Sequence, residues 1–148
     1  MISLKTKDRQ GFTIVELLIV IVVIGILAAL VIVTYNGIQQ KARDTERKTD
    51  VNAVASHLEA YNAQNGRYPT LADVNDSTFR SANMKGLPDD ALKDPKGSST
   101  ALCGSVGANC YAYVVSPSGC DNSTTDCASY VLTATLESGG TYVKNSSN

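Results

Sequence analysis

Two sets of side chains in this sequence have types and spacings that support chemistry. The first is one carboxylate, Glu16, which opens an otherwise apolar segment: from Leu17 to Gln40 no side chain is charged. A lone carboxylate in lipid costs roughly 2.5 to 3.5 kcal/mol on insertion scales and less near an interface, so such a residue is a functional candidate by default. The second is a group of four cysteines, Cys103, Cys110, Cys120 and Cys127, separated by six, nine and six residues. Those gaps lack the close pairs of zinc sites, and disulfides are the expected use in a small domain outside the cytoplasm.

The element that must position Glu16 is a helix. Leu17 to Val33 is apolar or Gly throughout, about the length that crosses a hydrocarbon core. A cleaved secretory signal would need an Ala-x-Ala arrangement after the apolar run, and Ala28-Ala29-Leu30 lies inside it. A plain signal anchor accounts for the hydrophobicity but gives Glu16 no purpose.

Lys5, Lys7 and Arg9, then Gly11-Phe12-Thr13-Ile14-Val15-Glu16-Leu17-Leu18-Ile19-Val20, resemble the class III signal of type IV pilins and pseudopilins. The close similarity covers roughly Gln10 to Val33 and runs more loosely to Pro69; the proline that is frequent late in the family's apolar run is absent, Val33 standing near its place. The resemblance implies that a prepilin peptidase cuts between Gly11 and Phe12 and methylates the Phe12 amine. It also implies that Glu16 is the filament-assembly residue. An incoming subunit's Glu16 would neutralise the Phe12 amine of a subunit already in the filament; two charges in a poorly solvated region each require a partner. Residues four apart share a helix face, so the same pair can also close within one chain.

The expected fold class is α+β, the ladle-shaped pilin fold that the resemblance implies. Residues 1–11 are read as the leader, 12–35 as the transmembrane and assembly half of one helix, 36–65 as its amphipathic half and 66–148 as the head. In the outer half, Val51, Val54, Leu58 and Tyr61, with Ala55, recur at helical spacing and give one apolar stripe. Asn65-Gly66 followed by Pro69 is a stop signal. Gly37 beside Asn36 is read as a tolerated interior glycine rather than a bend, and His57, the one histidine, as a surface or spine residue. Lys41, Arg43, Arg47 and Lys48 interleave with Asp44, Glu46 and Asp50, which predicts a solvated helix face with Asp44 paired to Lys48, rather than a nucleic-acid patch.

Beyond Pro69, Thr70 with Asp73 predicts a capping box for one short helix. The stretch from Thr70 to Thr100 reads as an exposed irregular connection of the kind that carries specificity. From Cys110 the period becomes two. Tyr111, Tyr113 and Val115 share one face, as do Tyr130, Leu132, Ala134 and Leu136, with Thr133 and Thr135 opposite; Ser138-Gly139-Gly140 turns into Thr141 to Lys144. These segments predict an antiparallel sheet of at least three strands laid on the helix stripe. Of three connectivities, Cys103 to Cys110 with Cys120 to Cys127 is favoured, because the second closes the loop between two antiparallel strands while Cys110 and Cys127 begin neighbouring strands. Each bridge would contribute roughly 2 to 3 kcal/mol.

The chain carries a formal net charge of −1 from 13 bases and 14 acids; without Lys5, Lys7, Arg9 and Asp8, 10 bases and 13 acids remain, a charge of −3. Nothing in that balance points to nucleic acid. There is no nucleophile and base pair, no phosphate-cradling loop and no carboxylate partner for Glu16, so the expectation is a structural protein with no cofactor and no metal. Asp121 to Asp126 offers oxygen ligands of the kind calcium takes, and pseudopilin heads often carry a calcium loop, yet two acids in a turn are more simply a turn. The leading expectation is a type IV pilus subunit. It would leave the cytoplasmic membrane through the pilus assembly machinery and join a homo-oligomeric filament at the cell surface, serving adhesion, motility or DNA uptake. The alternatives are a pseudopilin of a type II secretion system and a signal-anchored binding module.

Overall fold

The computed structural model describes residues 11–147. Lys5, Lys7 and Arg9 of the expected leader lie outside them. The chain divides into two compact units, Met1–Ile38 and Gln39–Asn148. One helix, α1 (Ile14–Asn65), contributes to both.

In the first unit the helix has no inner face. Its large apolar residues from Leu17 to Val33 are 47–74% exposed, on every side of the axis. A helix that is apolar all round is stable in lipid or among other helices, and not alone in water. It is long and apolar enough to cross a membrane. Gly37 lies inside unbroken helix.

The second unit has its own core. Residues 39–65 of α1 bury Val51, Val54, Ala55, Leu58 and Tyr61, the stripe predicted from the sequence. The helix ends at Asn65 because Gly66 adopts a φ of +72°, a left-handed conformation that costs glycine nothing. Its N–H still closes on the Asn62 carbonyl at 2.7 Å.

Against this stripe lies an antiparallel sheet in the order β1 (Ala112–Ser116), β2 (Ser129–Thr135), β3 (Thr141–Asn145). Tyr113 stands opposite Leu132, and Leu132 opposite Lys144. Tyr111, Tyr113, Tyr130, Leu132 and Ala134 are buried against the helix. Burying a tyrosine ring is favourable only when its hydroxyl keeps a partner. Here the partners sit mostly on α1: Tyr111 donates to Asp50 at 2.8 Å, Tyr130 and Tyr68 to Glu59 at 3.1 and 3.0 Å, and Tyr142 to Asn52 at 3.0 Å. These bonds set where along the helix each strand rests, a directional constraint that apolar contact alone does not supply. Thr133, expected on the solvent side, is buried. The segment following Cys103 reaches over that side of the sheet, where the Gly107 carbonyl accepts the Thr135 hydroxyl at 3.0 Å.

The connection after Pro69 differs from its reading as exposed and irregular with one short helix. It forms two helices, α2 (Leu71–Asn75) and α3 (Ser77–Asn83), and a 3-10 turn at Asp89–Leu92. The Thr70 and Asp73 capping box that starts α2 is present in both directions. Val74, Met84, Leu87, Ala91 and Leu92 from this stretch belong to the core. The glycines and prolines break it into short pieces, but the apolar residues between them are still drawn onto the helix and sheet.

Candidate functional site: the processing and assembly terminus

Gly11 and Phe12 precede the first helical residue, and both are exposed, Phe12 at 84%. A peptide bond in exposed backbone outside a helix is open to a peptidase. Glu16 lies in the first turn of α1. Its carboxylate Oε2 accepts from the Thr13 N–H at 2.8 Å and from the Thr13 hydroxyl at 2.7 Å. In return the Glu16 N–H donates to Thr13 Oγ1 at 3.2 Å. Thr13 and Glu16 thus form a reciprocal capping box, satisfying two of the N–H groups that a helix start leaves without partners. In a bilayer, where water cannot take those bonds, each unsatisfied group would cost several kcal/mol.

The sequence reading overlooked Thr13, although a Thr-x-x-Glu pattern ahead of an apolar run was available to find it. The cap adds a partner that the reading of Glu16 did not include. Both accepted bonds fall on Oε2, so Oε1 is the oxygen that a second donor, such as an amine, can approach. Cutting after Gly11 leaves the Thr13 amide intact, so the cap is compatible with both forms of the terminus.

The mixed-charge stretch is only in part the solvated face expected of it: Lys41, Glu46 and Lys48 are exposed. Asp44 and Arg47 are buried, at 4% and 1% exposure. Arg47 forks onto Asp94, Nε to Oδ2 at 2.7 Å and Nη2 to Oδ1 at 2.9 Å, while Nη1 donates at 2.9 Å to both Asp44 and Glu137. Asp44 pairs with Arg47 rather than with Lys48, and its two oxygens also accept the Glu137 and Ser138 N–H groups at 2.8 and 2.9 Å. Arg43 forks onto Glu137 with both bonds at 2.7 Å, and Lys96 reaches the same carboxylate at 2.9 Å. Three cations and three carboxylates therefore close on one another. Burial pushes the Asp44 carboxyl up, but the Ser138 and Glu137 donors and Arg47 outweigh it and hold the group at about 2. For Asp94, burial is likewise outweighed by Arg47 and the Lys96 N–H, and Glu137 is held low by Arg43 and Lys96. This network fastens the connection and the β2–β3 turn to the helix. Helical spacing could not show it, because Asp94 and Glu137 come from distant chain.

The four cysteines form two bridges, Cys103–Cys110 and Cys120–Cys127. The second closes the connection between β1 and β2. Within its loop, Asp121 accepts the Ser123, Thr124 and Thr125 N–H groups at 2.9, 2.8 and 3.2 Å, and Asp126 pairs with Arg67 at 3.0 Å. Both acids thus have structural partners, and the loop is held as a turn. Among the described residues, no group of three or more His, Cys, Asp or Glu side chains is placed to hold a metal ion. His57 is half-buried on α1.

A helix apolar on every side, a capped glutamate at its start and an α+β head make up a pilin-like architecture. Residues 6–32 match the model of the prokaryotic N-terminal methylation motif. It is 40% identical over 64 residues to type II secretion system core protein G of Dickeya chrysanthemi, a match covering 43% of this chain and 42% of that protein. Its likeness to core protein G of Klebsiella michiganensis is 39% over 67 residues, covering 45% and 47%. For core protein G of Escherichia coli (strain K12) it is 38% over 65 residues, covering 44% and 45%. The chain thus spans less than half the length of these relatives. No solved structure matches it.

Proposed function

We propose that this chain is a non-catalytic filament subunit of the pseudopilin kind, processed at Gly11 and polymerised through its apolar helix in a type II secretion apparatus. This corrects the order of the sequence reading, which put a surface pilus first. The likeness to core protein G supports the change. The observation that carries the reading is the junction of Gly11, Phe12 and a capped Glu16 with a helix whose apolar surface is exposed among the described residues. Cleavage after Gly11 creates a cationic amine on Phe12, one turn from Glu16. In the precursor pool the helix lies in the membrane. On assembly it exchanges lipid for the helices of neighbouring subunits, and the amine of one subunit meets Glu16 Oε1 of another. That contact matches opposite charges where water is scarce, and so sets the axial register that apolar packing leaves open.

A surface pilus is the second reading. It is favoured by the loop at 120–127, which is closed by a disulfide and internal carboxylate bonds rather than left open for an ion. One experiment separates these readings. The chain is recovered from membranes and from sheared fibres, its intact mass is measured, and export of type II substrates is assayed with and without the gene. A mature terminus at Phe12 with a methylated amine, and an export defect, are expected. Glu16→Val should be processed and inserted yet be absent from filaments. A chain that starts at Met1 in the filament fraction, or wild-type filament yield from Glu16→Val, would overturn the proposal. Abundant sheared fibres with export intact would move the assignment to a surface pilus.

A further inference from the structure

The two disulfides occupy different environments. Cys120 and Cys127 are buried in the core, whereas Cys103 and Cys110 are half-buried and flank six residues, 104–109, that are all exposed. The Cys103 segment covers the free side of β1. The Cys103 N–H donates to the Tyr111 carbonyl and its own carbonyl accepts the Tyr113 N–H, both at 2.8 Å, in a parallel bridge beside Ala112. Without it these β1 groups would form an open sheet edge, the feature through which strands pair with other chains.

Residues on either side hold the segment differently. Leu102 is clasped by the Asn75 amide, which accepts its N–H at 2.8 Å and donates to its carbonyl at 3.0 Å. After Cys103 the loop closes on itself through a β-bridge between Gly107 and Cys110, and it meets the rest of the head at the Thr135 hydroxyl on Gly107 and the close approach of the Asn109 carbonyl to Gly97. The disulfide therefore joins a firmly held end to a loosely held loop.

We infer that the Cys103–Cys110 bridge is a redox-labile clip: its reduction releases the segment from the outer edge of β1, while Cys120–Cys127 keeps the core closed. A thiolate of a dithiol reductant attacks one bridge sulfur and the Cys103–Cys110 bond breaks. The second thiol of the reductant then resolves the mixed disulfide. The reductant leaves as a cyclic disulfide, and its two electrons and two protons remain on the protein as two thiols. Accessible bridges react first, because the attacking thiolate must reach a sulfur along the S–S axis.

The test uses the full chain in detergent with limiting dithiothreitol. Free thiols are trapped with a maleimide and located by peptide mapping, and backbone exchange is followed by fragment mass spectrometry. Cys103 and Cys110 should be trapped roughly tenfold faster than Cys120 and Cys127. The Tyr113 amide should then exchange roughly tenfold faster, while that of Leu132 in the central strand keeps its protection. The non-reducible variant pair Cys103→Ser with Cys110→Ser should reproduce the exchange pattern without reductant. Equal or inverted trapping rates, an unchanged Tyr113 amide, or joint loss of protection at Tyr113 and Leu132 would each overturn the inference.

Discussion

Arg47 and Asp94, 47 residues apart in the chain, meet in a two-bond fork with both side chains 2% exposed. The fork ties the helix to the end of the connection that follows it. The same guanidinium reaches Glu137 beside the β2–β3 turn, so one side chain joins three parts of the head.

Replacing that guanidinium should be among the more damaging single changes. Arg47→Met leaves Asp44, Asp94 and Glu137 facing only Arg43 and Lys96. Removing one partner of a buried pair costs about 3–5 kcal/mol, because the remaining charge is left uncompensated. Urea unfolding of the full chain in detergent, followed by tyrosine fluorescence, measures the loss. Arg47→Met combined with Asp94→Leu should recover part of it. A single-variant loss well under 1 kcal/mol would mean that the network contributes little.

Acid should weaken the head through the same carboxylates. Asp44, at about 2, and Asp94 are both held below the ordinary aspartate value of about 3.9, so the unfolded chain binds more protons than the folded one as the pH falls. Their contribution is complete above about pH 5 and fades as the pH drops through 4 toward 2. Asp50 acts in the opposite sense, raised chiefly by burial, and offsets a part of the loss. Thermal midpoints of wild type across this range should fall toward low pH, and those of Arg47→Met should fall less. Parallel profiles would contradict the assignment.

Thr13 should matter through its hydroxyl. Thr13→Ala removes the side-chain half of the cap, a loss of about 1 kcal/mol in typical helices, and leaves Glu16 with one donor fewer. Thr13→Ser keeps both bonds. The expected order of filament yield is wild type and Ser alike, then Ala, with cleavage after Gly11 unaffected in all three. Equal yields from Ala and wild type would exclude a role for the cap in assembly.

Gly97 should not tolerate a side chain. A Cβ there would stand 2.6 Å from the Asn109 carbonyl oxygen and 3.2 Å from that of Asp94. Gly97→Ala must displace backbone on both sides, and overpacking of this kind costs about 1–3 kcal/mol. Faster exchange across residues 103–110 and a lowered melting midpoint are expected. An unchanged midpoint would show that the loop shifts freely.

The local rules of the chain were legible before any tertiary structure. The unbroken apolar run, the stripe from Val51 to Tyr61, the Gly66 stop, the Thr70 and Asp73 cap and the alternation through Tyr130, Leu132 and Ala134 each depend on residues within one or two turns or along one strand. So does the prepilin-type terminus, whose residues are consecutive. The cap between Thr13 and Glu16 was equally local, and was legible though not read.

What only the folded chain decided is which distant groups meet. Spacing along α1 assigned Asp44 and Arg47 to solvent, because mixed charges on a helix are ordinarily solvated. Asp94 and Glu137 reversed this by bringing carboxylates and backbone donors close enough to outweigh the cost of burial. The same holds for the tyrosine hydroxyls on Asp50, Asn52 and Glu59, and for the Cys103 segment along β1. Each is a directional bond between elements whose separation in sequence carries no periodic signal, so its partners become apparent only when packing has placed them within hydrogen-bonding distance.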